Sequence, residues 1–345
     1  MRRLDETRLL DFVEAVYALE LTDDAWLTRG LEALATVCGP EHDYEGLFYD
    51  ASNVEELKRW NHRRLQPTPP GLLSQQKIFQ QLTGPDFVRA TFRSLSVGCG
   101  SRAAHRYIEP VLRERARNGW GDFFYLNGLD PSGVGCVLTL NCRQPEFTLE
   151  AGELAIFRRL ATHLSAAFRC RRRLAEASAN RAGTAPAPEA VLDADGRVLH
   201  AEGAASGKLA QQRIRDAAKA IDAARAGGTR RQGCQALDLW HPLTDARWTL
   251  VDSYQEGGNR YVVARENCAE AHDFAAFTDR ERQVVVHAAL GMSNKEIAYT
   301  LGVADATVRV LMTRIARRLG VRTRKEVLEH AMLRGLQPRV QAEPA

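Results

Sequence analysis

The residue types with the clearest chemistry lie near the end of the chain, in VADATVRVLMTRIARRLGVRTRK (303–325). Set on a helix at about 100° per residue, Val308, Leu311, Met312, Ile315 and Leu319 share one side. Ala306, Arg309, Val310, Thr313 and Arg317 share the other, with Arg314 flanking. Small and basic side chains on a solvent face suit the major groove of a DNA duplex. There arginine donates two hydrogen bonds to guanine, and short side chains permit close approach. Arg309, Val310 and Thr313 are the candidates for reading bases. Asn294, Lys295, Thr307, Arg314, Arg317, Arg318 and Arg322, with Arg324 and Lys325, are placed to reach phosphates.

Such side chains need a helix held by a second helix across a tight turn, and the flanking sequence supplies the signals. Thr278-x-x-Glu281, Ser293-x-x-Glu296 and Thr323-x-x-Glu326 are capping boxes, in which hydroxyl and carboxylate satisfy each other's backbone amides at a helix start. Gly291, Gly302, Gly320 and Gly335 stand where helices should stop. The pattern predicts four helices at 279–290, 294–301, 305–319 and 324–334, an all-α domain over 273–337. The scaffold helix, the Gly302-Val303 turn and the third helix together form a helix-turn-helix. From Asp273 to Ala345 twelve Arg and Lys face eight Asp and Glu, which accounts for the whole chain's net charge of +4. A positive excess confined to one segment points to a polyanionic partner for that segment.

The rest of the 345 residues allows further domains with their own cores. Residues 4–37 read as two helices and GLFYD as a strand, with a loop at 61–71 and a helix at 74–81. FFYLNGLDPSGVGCVLTLN reads as a strand, a turn and a strand, and 150–175 as a long helix with an apolar seam at Leu154, Phe157, Ala161, Leu164 and Phe168. This is an α+β domain over 1–175. The Ala/Pro-rich stretch 176–190 reads as a linker. A smaller α+β module follows over 191–267. It has a hairpin turning at Asp195-Gly196, a helix at 206–226, and strands in CQALDLWHPL, RWTLVDSY and RYVVARE.

Little else in the chain suggests chemistry. Nine histidines show no metal-ligand spacing, and seven cysteines show no C-x-x-C pair, so no metal and no cofactor is expected. The cysteines read as reduced thiols in a cytoplasm. NCRQ around Cys142 shares letters with a flavin-sensor segment, but that cysteine belongs in a helix and Cys142 ends a strand. Cys99, in VGCGS, reads as a loop thiol open to oxidation or as ordinary small-residue packing. Arg169, Arg171, Arg172 and Arg173 suit the C-terminal end of a helix dipole, with a second nucleic-acid patch as the sharper reading. No nucleophile motif or paired carboxylates stand out, so an enzyme is not expected. No apolar run is long enough for a membrane helix, and no membrane partner is expected.

The stretch FTDRERQVVVHAALGMSNKEIAYTLGVADATVRVLMTRIARRLGVRTRKEVLEHA resembles the C-terminal domain of LuxR-type (GerE-like) transcriptional regulators. It carries the T-x-R-E, A-x-G-x-S-N-K-E-I-A, T-V-K/R and K/R-L-x-V-x-x-R pattern over about 55 residues. The resemblance implies a tetrahelical DNA-binding domain that pairs through its last helix, at Val327, Leu328 and Ala331. Two positions depart from the family: Ala304 replaces a usual serine, leaving Asp305 to cap the helix or complement its dipole, and Leu311 replaces a frequent histidine. The N-terminal part lacks the strand and paired aspartates of a phosphoacceptor receiver and the nucleotide loop of the ATP-driven branch, and shows no autoinducer-binding pattern. Residues 1–175 resemble a GAF-type sensory domain and 187–267 a PAS-like module. The resemblance implies a cytoplasmic transcription regulator that binds double-stranded DNA as a homodimer, contacts RNA polymerase, and answers a small-molecule or protein signal. The alternative is a DNA-binding assembly protein with no small-molecule ligand in its N-terminal half.

Overall fold

The computed structural model describes residues 4–66, 84–90, 92, 97–100, 112–113, 115–117, 119–128, 133–179, 188–240, 243–244, 248–254, 259–266, 278–289, 293–301, 303–319 and 321–333. The chain forms two compact units, Met1–Asn267 and Cys268–Ala345.

The first unit opens with α1 (Leu9–Val16) and α2 (Asp23–Cys38). Thr22 caps α2 by accepting from the Ala25 amide, and Trp26 donates its indole N–H to the Val16 carbonyl at 2.8 Å. Strands β1 (Asp43–Asp50) and β2 (Lys58–Arg64), helix α3 (Pro85–Ala90), and strands β3 (Val97–Cys99), β4 (Phe123–Gly128) and β5 (Val134–Asn141) follow. They make an antiparallel sheet in the order β2-β1-β5-β4-β3. Alternation along the strands gives it two apolar faces. Phe48, Phe124, Leu126, Leu138 and Leu140 share a core with α1, α2 and α4 (Ala151–Ala179). Tyr49, Tyr125 and Val137 turn the other way and pack with Phe87, Val88 and Phe92.

The second sheet is smaller: β6 (Ala190–Leu192), β7 (Val198–Ala201), α5 (Lys208–Arg225), α6 (Gly233–Leu239), β8 (Leu243–Thr244), β9 (Trp248–Tyr254) and β10 (Arg260–Glu266). Its order is β7-β6-β10-β9-β8, again antiparallel. Counted within each sheet, both orders are 2-1-5-4-3. The β6–β7 turn closes as expected: Asp193 accepts from the Asp195 and Arg197 amides, and Gly196 takes φ +76°. Ile214, Ala217, Ala218, Ile221 and Ala224 are the buried stripe of α5.

The two sheets share one continuous buried apolar cluster. Charge pairs reinforce the joint: Arg230 reaches Asp11 at 2.6 Å and Glu14 at 2.8 Å, Arg225 reaches Glu14 at 3.2 Å, and Arg159 reaches Asp238 at 2.7 Å. At Gly233 a Cβ would stand 1.6 Å from the Glu6 carbonyl oxygen, so only glycine lets α6 approach the N-terminus this closely.

Several elements differ from expectation. The loop read at 61–71 begins inside β2, an edge strand whose pairing with β1 shifts between Gly46 and Phe48 near Asn61, itself at φ +51°. Charged residues alternate with no apolar set there, so periodicity gives no strand signal. CQALDLWHPL, read as a strand, is mostly α6 and only then β8, because Ala236 and Leu237 are buried along a helix. Helix α4 runs on to Ala179, taking in 176–179 of the stretch read as linker. The helix read at 74–81 lies outside the described residues.

The second unit is four helices: α7 (Asp279–Ala289), α8 (Asn294–Leu301), α9 (Asp305–Arg318) and α10 (Arg324–Leu333), within a residue or so of the pattern read from the sequence. Val284, Val285, Ala288, Ile297, Val308, Met312, Ile315, Leu319 and Val327 form its core. The four glycines expected to end these helices lie outside the described residues.

Candidate nucleic-acid interface

All three capping boxes close. The Thr278 amide donates to Glu281 at 2.8 Å and the Glu281 amide to Thr278 Oγ1 at 3.2 Å. The corresponding pairs are 2.6 and 3.3 Å at Ser293 and Glu296, and 3.3 and 3.2 Å at Thr323 and Glu326. Bonds from the Ser293 amide and hydroxyl hold the Glu296 carboxyl below its ordinary value. The Arg322 amide, with Thr323, does the same for Glu326. These caps fix the starts of α7, α8 and α10, the helices that hold α9.

The two-faced reading of α9 holds side chain by side chain. Val308, Met312, Ile315 and Leu319 are buried, and Leu311 is half-buried against the same core. Ala306, Thr307, Arg309, Val310, Thr313, Arg314, Arg317 and Arg318 are exposed. Val310 is 49% exposed, and its methyls are open to a contact such as a thymine methyl. The Thr313 hydroxyl donates back to the Arg309 carbonyl at 2.9 Å, leaving its methyl and its oxygen lone pairs outward.

The basic residues divide into two groups. The guanidinium groups of Arg314, Arg317 and Arg322 and the ammonium of Lys295 make no hydrogen bond or ion pair with the described residues, so their charge is available to a partner. Arg318, read from sequence as a phosphate contact, instead donates to Glu281 at 2.7 Å, and Glu281 is 2% exposed. That pair ties the end of α9 to the start of α7. Arg324 similarly donates to Asn294 Oδ1 at 2.7 Å, joining the first turns of α10 and α8 and leaving only the Asn294 amide N–H groups to donate. Ala304 is the N-cap of α9 and supplies no side-chain bond. Asp305 does not replace it as a cap; its carboxylate accepts from Arg309 Nε at 3.0 Å and from Nη2.

Of the three residues expected for pairing, two have described side chains. Val327 is fully buried in the core of its own domain and Leu328 half-buried, because a residue on α10 facing α7 completes that core. Ala331 lies in α10, but its side chain is outside the described set.

The other candidates take ordinary places. Cys142 is buried, donates to the Asp122 carbonyl at 3.2 Å, and is pushed up to about 11 by burial and the nearby Asp122 carboxylate. Cys99 sits in β3, not in a loop, and donates to the Phe147 carbonyl at 3.3 Å. The arginine run lies inside α4, not at its end. Arg171 donates to the Leu19 and Leu21 carbonyls and to Asp23 and stacks over Trp26, and Arg172 pairs with Glu176. Among the described residues no group of three His, Cys, Asp or Glu is placed to hold a metal, and no helix is long and apolar enough to cross a membrane.

Comparison with known proteins agrees with this geometry. Residues 275–331 match the family described as "Bacterial regulatory proteins, luxR family", and they are a luxR-family helix-turn-helix domain. The nitrate/nitrite response regulator protein NarP of Escherichia coli (strain K12) is 39% identical over 72 residues, 21% of this chain and 34% of NarP. The match thus spans about a third of that relative's length. Two solved structures align along nearly the whole chain at 12% identity. Escherichia coli SdiA in the space group P6522 has a TM-score of 0.31 and covers 96% of both chains. SdiA in complex with octanoyl-rac-glycerol has a TM-score of 0.32 and covers 96% of this chain and 93% of that one.

Proposed function

We propose that the luxR-family domain at 275–331 makes this chain a sequence-specific, double-stranded-DNA-binding transcription regulator, controlled by its N-terminal modules. The observation that carries the proposal is the outer face of α9. Arg309, Val310 and Thr313 lie exposed, above a buried row and beside Arg314, Arg317 and Arg322, whose guanidinium groups have no partner among the described residues. This is the division of labour DNA recognition requires: phosphate contacts place the helix and base-edge contacts specify the site. Selection of bound fragments from random duplexes by the full chain tests it. One enriched motif is expected, and uniform recovery of all sequences refutes it.

In this reading residues 1–175 form a GAF-like module and 191–267 a PAS-like one, and their common strand order supports treating them as two units of similar architecture. The α1/α2/α4 face of the first sheet is filled by its own aromatics, including Trp26, Phe48, Phe124, Phe157 and Phe168. In this proposal a signal is received on the opposite face. There Tyr49, Phe92 and Tyr125 adjoin a charged end made by Asp43, Glu45, Arg64, Arg115 and Asn141. Burial alone would raise the Glu45 carboxyl, but hydrogen bonding to His62 and the Arg64 charge hold it down at about 2. A homodimer, RNA polymerase contact and a cytoplasmic setting complete the proposal.

A further inference from the structure

The carboxylate of Asp305 stands at the start of a helix face otherwise prepared for a polyanion. It lies in the first turn of α9, where the helix dipole favours an acid, yet its side chain caps no backbone amide. Its recorded partner is Arg309 one turn on, through Nε at 3.0 Å and through Nη2. Arg309 is 69% exposed and Asp305 25%, so the carboxylate lies inside and the guanidinium outside.

We infer that Asp305 is a specificity-determining residue: it aims Arg309 at a guanine and keeps this end of α9 from binding phosphate. The inference rests on the proposal that α9 enters the major groove. A guanidinium carries five N–H donors in a planar fork. With the Nε side of the fork turned back to Asp305, the end formed by Nη1 and the free Nη2 hydrogen points outward. That end has the spacing to bond guanine O6 and N7 together. Without the carboxylate, the long arginine stem swings freely and its charge finds the nearest phosphate, where it contributes affinity without sequence information. The carboxylate also acts directly. It repels phosphate oxygens and the acceptor edges of guanine, and it accepts from the N4 amino group of cytosine. Correct docking satisfies both partners of the pair, and docking on the backbone leaves a carboxylate against phosphates.

The test uses the full chain, its best selected duplex and a scrambled duplex of equal length, with affinities taken at several salt concentrations. Asp305→Ala and Asp305→Asn should both bind the scrambled duplex about threefold more tightly, the effect of removing one screened like charge. Neither should gain on the selected duplex, so discrimination falls. Fresh selection with each variant should show a broadened preference at one base position. Arg309→Ala should broaden the same position, with little further change when Asp305→Ala is added, as expected of residues acting as a unit. Unchanged melting of the variants shows that the helix start is intact. Variants that discriminate as well as the wild type, or weaken equally on both duplexes, overturn the inference. A wild-type chain that selects no motif overturns the DNA-reading proposal itself, and the two failures are therefore distinguishable.

Discussion

Arg309, Arg317 and Arg318 are the same residue type within three turns of one helix, and their surroundings assign them different work. Arg309 stands in the first turns beside exposed Val310. Arg309→Ala should cost roughly 1–3 kcal/mol on the best duplex and flatten preference at one base position. Arg317 is exposed and unpaired near the end of the helix. Arg317→Ala should weaken binding to all duplexes alike and reduce the slope of log affinity against log salt by about one unit. Arg318 is tied to buried Glu281. Arg318→Ala should leave the salt slope nearly unchanged and lower stability by about 1–2 kcal/mol, as loss of a hydrogen bond to a charged group does. Binding isotherms over a salt series, together with thermal melting, separate the three. The pairing of Arg318 was not legible in the sequence, because Glu281 is 37 positions away and is explained locally by its capping box. The Asp305–Arg309 pair stands at i, i+4 and was legible, but the expected capping role hid it.

At the scale of elements, legibility followed the strength of the local signal. Three of the four helices of the second unit, α7, α8 and α10, carry a reciprocal cap, and all four fall within a residue or so of the limits read from the sequence. Strand β2 carries charged residues with no apolar repeat, since an edge strand has no face of its own to bury, and Arg64 instead pairs with Asp43 and Glu45. Helix α6 is short enough that its apolar residues fit a period of two as well as 3.6. The caps also give the second unit a defined pH response. A carboxyl held below its ordinary value stabilises the fold above that value, and the contribution disappears as pH falls through the folded-state value. Glu296 and Glu326 are both held down in this way. Thermal melting of the second unit should therefore lose midpoint as pH drops below about 4.3, the ordinary glutamate value. Glu296→Gln with Glu326→Gln should lower the midpoint at neutral pH and flatten the acid side of the profile. A profile identical to wild type would show that these caps contribute nothing.

At the scale of the whole molecule, the proposed DNA reading makes a demand on assembly. One recognition helix spans only a few base pairs, too few for the discrimination a genome demands, so the specific complex should be a dimer on a pseudo-palindrome. Half-sites should lie about 10 base pairs apart, one turn of the duplex. Val327 is consumed by its own core, and the α4 seam at Phe157, Ala161, Leu164 and Phe168 is consumed by the first sheet. With Val327 spent on its own core, surfaces elsewhere in Met1–Asn267 should contribute to the pairing. The fragment 268–345 should fold, sediment mainly as a monomer, and bind the selected duplex far more weakly than the full chain. Sedimentation and footprinting of both decide this. A full-length monomer protecting a single unrepeated site contradicts it.

The apolar cluster that runs unbroken beneath both sheets has a consequence for anyone building hybrid regulators. A junction placed in the Ala/Pro-rich stretch 180–188, inviting as it is, would cut a shared interior and leave two halves with raw inner surfaces. Donor pieces ending there should express poorly and precipitate. A splice at the Asn267–Cys268 boundary transplants the first unit whole, and such chimeras should be recovered soluble with a new DNA address.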